Sequence, residues 1–115
     1  MIAERWSKEE AWKWHDNQEW TMGGNFLPST ASNQLELWQG EYWERQEPII
    51  HQELEWASQL GYTAMRVFLH DAVFFHEGQE ALLNRVERFL QIAALHKIRI
   101  LVVFFDGCWD PNPSY

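Results

Sequence analysis

Gly61-Tyr-Thr-Ala-Met-Arg-Val-Phe-Leu-His-Asp71 is echoed by His96-Lys-Ile-Arg-Ile-Leu-Val-Val-Phe-Phe-Asp106, at an offset of 35 residues. Each copy is a short apolar run that closes on an acid. Each also follows an amphipathic helical stretch whose last turn carries Leu60 or Leu95. A helix feeding a fully apolar strand, twice at one period, is the pattern of parallel β/α units, whose strands are covered on both faces. Ligands in such folds sit at the carboxyl ends of the strands. His70, Asp71, Asp106 and Trp109 therefore stand where binding or chemistry is expected, and the rest of the repeat is scaffold.

Outward from the repeat, the spacing predicts strands over Gly24–Leu27, Thr63–Leu69 and Arg99–Phe105. Pro28 ends the first of them. Apolar residues at Ile50, Leu54, Ala57 and Leu60 predict a helix from about Glu47 to Leu60, stopped by Gly61 in the left-handed conformation. A second helix, about Gln79 to His96, is expected to bury Leu82, Val86, Phe89, Leu90 and Ala93. Ser29 to Gly40 reads as a polar connection bearing Trp38, with one helical turn around Leu35 and Leu37. His70 to Gly78 reads as a long loop after the second strand, the kind that collects binding residues. Ser7-Lys-Glu-Glu10 is a capping box that opens a short helix through about Gln18.

Three parallel strands with their helices leave strand edges and apolar faces uncovered. The expected fold class is therefore α/β: the first three β/α units of a (β/α)8 barrel, cut after strand three. Residues 1–20 form an N-terminal helix, with Trp12 and Trp14 covering the barrel's underside, and 23–115 the three units. A small three-stranded α/β domain is the plainer alternative. Closing eight strands takes roughly 200 residues or more, and the chain has 115.

A net charge of −8, from 17 acids against 9 bases, argues against nucleic acid or an anionic membrane as a main partner. No apolar run reaches the ~20 residues of a membrane span. The single cysteine, Cys108, permits no internal disulfide, and no Cys/His cluster has metal-ligand spacing, so neither metal nor cofactor is expected. Met1-Ile-Ala-Glu-Arg-Trp6 lacks the charged and apolar regions of a secretory signal, which makes a cytoplasmic location the default. The chain has 8 tryptophans. Such rings stack on sugar faces, and they are equally ordinary core residues.

Arg66 stands out in the second strand. A charge among Met65, Val67, Phe68 and Leu69 must be paired if it is buried. Strand alternation puts Ala64, Arg66, Phe68 and His70 on one face and Thr63, Met65, Val67, Leu69 and Asp71 on the other. Spacing leaves two readings of Arg66 open: a functional group, or a strut held by a structural carboxylate.

Gly61-Tyr-Thr-Ala-Met-Arg66-Val resembles the second-strand motif of clan A glycoside hydrolases, especially family five cellulase-like proteins. Gly24-Asn-Phe-Leu-Pro-Ser-Thr30, Asn33-Gln-Leu-Glu-Leu-Trp-Gln39, Arg66-Val-Phe-Leu-His-Asp71 and Phe105-Asp-Gly-Cys-Trp-Asp-Pro111 are similar to a bacterial cellulase-like subgroup of the 1,4-β-xylanase type. The likeness runs from Trp6 to the last residue. Lys97 departs from it, standing where those proteins carry the glycine that ends the helix, at a small expected cost in stability.

The resemblance implies a (β/α)8 barrel with retaining glycosidase chemistry on β-linked polysaccharide or oligosaccharide. A glutamate acid/base and a glutamate nucleophile would lie about 5–5.5 Å apart, at the ends of strands four and seven. Both fall beyond Tyr115, so no residue here takes a catalytic role and the chain by itself is expected to be inactive. Arg66 would support the nucleophile, and Asn25, Arg66, His70, Asp71, Asp106 and Trp109 would line the sugar subsites. His70 and Asp71 have a second reading as a cap for the next element. Trp109 is either a sugar platform or a lid on Phe74 and Phe75, and Cys108 reads as a buried spectator. Other readings stay open: a different barrel enzyme such as an isomerase or aldolase, or a non-catalytic half-barrel that binds carbohydrate or a partner chain. In either case the uncovered strands lead us to expect self-association.

Overall fold

The computed structural model describes residues 4–106, 110 and 112–115. Three strands, β1 (Gly23–Asn25), β2 (Ala64–Phe68) and β3 (Arg99–Val103), form one parallel sheet in the order β1-β2-β3. The helices are α1 (Lys8–Asp16), α2 (Gln34–Trp38), α3 (Gly40–Gln59), α4 (Asp71–Glu77) and α5 (Gln79–Leu95). Ala64 pairs with Arg99 and Phe68 with Val103, so the sheet register reproduces the 35-residue offset of the repeat. β2 and β3 are shorter than the expected strands, and β1 is shifted from Gly24–Leu27 so that Phe26 and Leu27 lie beyond it. Single bonds carry the ladder on: Phe26 N–H to Arg66 C=O, and Leu69 N–H to Val103 C=O, both at 2.9 Å.

Both helices that feed strands end in the same turn. Gly61 N–H donates to Ser58 C=O and Tyr62 N–H to Ala57 C=O. At the end of α5, Lys97 N–H donates to Ala94 C=O and Ile98 N–H to Ala93 C=O. This pair of bonds requires a left-handed residue. Gly61 supplies it at φ +92°, and Lys97 at φ +58°. The lysine therefore occupies the conformation that a glycine takes without a Cβ penalty.

Met65 and Val67 are buried against the helices with Ile100 packed beside them, while Arg66 and Leu101 on the alternate positions face out. The helices thus cover one face of the sheet. Trp38, Ile50, Leu54, Val73, Phe89 and Ile92 fill the core beneath it. Trp38 anchors that core. Its ring stacks on Trp43 at 6.0 Å, and its Nε1–H donates to the Phe68 carbonyl at 2.7 Å.

Several expectations need correction. The connection His70 to Gly78 is not a loop. Residues Asp71–Glu77 form α4, capped by His70, whose Nδ1 accepts from Ala72 N–H at 3.1 Å. A short Val- and Phe-rich segment without a Ser, Thr, Asn or Asp cap carries little helical signal. Burial of Val73 selects the helix. α3 starts at Gly40 rather than Glu47 and runs through Pro48. Pro48 and Glu44, whose carbonyl loses its helical partner, are both exposed, so water can satisfy that carbonyl. Trp43 and Gln46 extend the buried stripe of Ile50 and Leu54 one turn earlier.

Leu90 and Leu60 are exposed rather than buried, and Ile92 takes the core place expected for Leu90. α1 has its capping box, but none of its residues is buried; Trp12 lies against His15 and Trp14 against Trp6. Among the described residues no helix is long and apolar enough to cross a membrane.

Candidate functional site

The parallel register aligns Asn25, Arg66 and Leu101 in one row across the outward face of the sheet. Arg66 Nε–H donates to Asn25 Oδ1 at 2.8 Å, and the guanidinium carbon sits 5.1 Å from the centre of the Phe68 ring. Asn25 is neutral, and among the described residues no carboxylate forms an ion pair with Arg66. The strut reading, in which a structural carboxylate holds the arginine, finds no such carboxylate among the described residues. Arg66 is exposed, so its charge carries no burial penalty.

Beyond the carboxyl ends of the strands, two concavities share Asp106. One, of about 480 Å³, is lined by Asn25, Phe26, Leu27, Gln34, Leu37, Phe68 and Asp106. The other, of about 190 Å³, is lined by Leu69, His70, Asp71, Phe104, Phe105 and Asp106. Gln34 Nε2–H donates to Asp106 Oδ2 at 3.0 Å, which fixes one carboxylate oxygen between the two hollows.

His70 and Asp71 take the capping role. His70 is buried and spends Nδ1 on the backbone of α4, and Asp71 Oδ1 lies 3.4 Å from the same nitrogen. Strand alternation put Arg66 and His70 on one face, but the chain turns after Phe68 and the two line different concavities. The structure therefore brings together Asn25 with Arg66, and Asp106 with both Asn25 and the His70–Asp71 pair. Trp109 and Cys108 lie outside the described residues.

Gln34, Trp38 and Phe68 complete the site and were not singled out as site residues. A signal for Gln34 was present. Asn33 with Glu36 three residues on is an N-cap pattern, and Asn33 Oδ1 does accept from Glu36 N–H at 2.9 Å, placing Gln34 on the first turn of α2. Trp38 acts on the site from below, since its bond to the Phe68 carbonyl fixes the strand end from which His70 departs.

A guanidinium on a neutral amide, polar side chains at strand ends and bare aromatic rings make a surface suited to a polar, hydroxylated or anionic ligand. Among the described residues no group of three or more His, Cys, Asp and Glu side chains is placed to hold a metal ion. No family model, no curated protein and no solved structure matches this chain.

Proposed function

We propose that the chain supplies the first three β/α units of a (β/α)8 glycoside hydrolase that acts on β-linked polysaccharide or oligosaccharide with retention of configuration. The observation that carries this reading is Arg66. It is held by Asn25 on the outward face of a parallel sheet, with no carboxylate of the described residues paired to it. In a closed barrel that face is the interior, and a guanidinium there keeps a nearby nucleophilic carboxylate ionised by charge and hydrogen bonding. The monotonic strand order and the single helical layer support a singly wound barrel, because doubly wound sheets reverse their order and carry helices on both faces. Asp106, positioned by Gln34, and Asn25 are the groups we assign to sugar hydroxyls.

General acid and nucleophile belong to later strands in this reading. Residues 1–115 alone should release no reducing sugar from β-glucan, xylan or mannan above background. A polypeptide extended through strand eight should hydrolyse at least one of them with retention, and Arg66→Ala in it should lower kcat by roughly 10²-fold. Turnover by residues 1–115, abolished by a substitution within them, would place the chemistry on other strands. An inactive extended polypeptide would favour the second reading, a half-barrel that binds carbohydrate or a partner chain. The observation behind that second reading is the exposure of Phe104 and Phe105 at the end of β3.

A further inference from the structure

His51 and His96 meet at the opposite end of the molecule from the strand-end loops. His51 lies in the middle of α3, and His96 caps the carboxyl end of α5 just before β3. His51 Nδ1 is 3.2 Å from His96 Nε2, with the ring planes 81° apart. Two neutral imidazoles at this distance can face each other N–H to N–H, which repels, or in two further arrangements. One tautomer pair shares a proton in a hydrogen bond. The other turns two lone pairs toward each other, which repels unless a cation lies between them.

We propose that His51 and His96 form a two-histidine site for a late first-row divalent ion such as Zn²⁺, Ni²⁺ or Cu²⁺, clamping α3 to the end of α5. Bonds of about 2.0–2.1 Å place two imidazole nitrogens about 3.3 Å apart at a tetrahedral angle and about 2.9 Å apart at a square-planar one. The observed 3.2 Å falls between these values. The spacing of the two nitrogens thus already suits a shared ion.

Both backbones are held by core packing and helical hydrogen bonds, which favours a preformed pair. His51 follows fully buried Ile50 and precedes fully buried Leu54. His96 N–H is bonded to Ile92 and Ala93 carbonyls in the closing turn of α5. Glu47, one turn before His51, is held by Arg88 through bonds of 2.8 and 2.6 Å and does not join the set. Among the described residues no third protein ligand completes the pair, so water takes the remaining positions. Mg²⁺ and Ca²⁺ prefer oxygen donors and should be ignored.

The test uses the untagged chain, stripped with EDTA. Its melting temperature should rise by roughly 10 °C once Ni²⁺ or Zn²⁺ reaches a hundredfold excess over Kd, and should not move with Mg²⁺. His51→Gln and His96→Gln should each abolish the rise, while His15→Gln should keep it. A second measurement needs no variant. Substoichiometric Cu²⁺ should broaden the ring-proton resonances of His51 and His96 in the wild-type chain and spare those of His15 and His76. A melting temperature unchanged by both Ni²⁺ and Zn²⁺ would leave the pair a simple hydrogen bond and overturn the proposal. So would a rise that survives either glutamine substitution, or broadening centred on other histidines.

Discussion

Lys97 shows how a single residue departs from the pattern around it. Its φ of +58° costs an L-residue about 1–2 kcal/mol relative to glycine, and the two bonds of the closing turn leave it no other conformation. Lys97→Gly should therefore raise stability by about 0.5–1 kcal/mol, after subtracting the extra freedom glycine has in the unfolded chain. A urea midpoint that falls, or does not move, would count against it. Gly23 is the opposite situation. A Cβ there would sit 2.4 Å from the Ala64 carbonyl oxygen, a backbone atom inside the β1–β2 ladder. Gly23→Ala should cost about 1–3 kcal/mol. A cost under about 0.5 kcal/mol, the range of an ordinary surface change, would show that β1 shifts freely.

At the scale of elements, Glu77 joins α4 to three other parts of the molecule. One oxygen accepts from Gly40 N–H at the start of α3 (2.9 Å) and from the Tyr115 hydroxyl, and the other from Arg85 of α5. Burial pushes the Glu77 carboxyl up, but the bonds from Tyr115, Gly40 and Arg85, with the guanidinium charge, outweigh it and hold the group below its ordinary value of 4.5. A carboxyl whose pKa is lowered on folding contributes stability that is complete above its unfolded value and is lost as pH falls through its folded one. Stability should therefore decline as pH drops below about 4.5, and Glu77→Gln should flatten that decline while lowering stability at neutral pH. Denaturant titrations from neutral to acid pH compare the two slopes, and equal slopes would remove Glu77 from the account. Tyr115 carries the opposite sign. Burial and its bond to Glu77 raise it to about 12, so its contribution is complete below the ordinary tyrosine value and is lost as pH rises through about 12.

On the scale of the whole molecule, the sheet has open edges at β1 and β3 among the described residues, and its outward face carries Leu101, 63% exposed. Phe104 and Phe105 extend that bare surface at 66% and 89% exposure. Contiguous exposed apolar groups beside unpaired strand edges favour association. Sedimentation velocity should show oligomers that grow with concentration, and Leu101→Glu combined with Phe105→Ser should shift the chain toward monomer. A wild-type chain that stays monomeric at every concentration would mean that edge and face are protected in solution.

The repeat, the parallel strands and the placing of Met65 and Val67 on the face opposite Arg66 were legible in the sequence. These features are set by local periodicity and local backbone geometry. Tertiary packing decided the rest. α4 exists because Val73 has a core to enter, and α3 begins at Gly40, upstream of Pro48, because Trp43 and Gln46 pack into the core there. Arg66 meets Asn25 across 41 residues through the β1–β2 register, and Asp106 meets Gln34 across 72. Neither contact leaves a trace in local spacing, because each depends on where separate elements come to rest against a shared core.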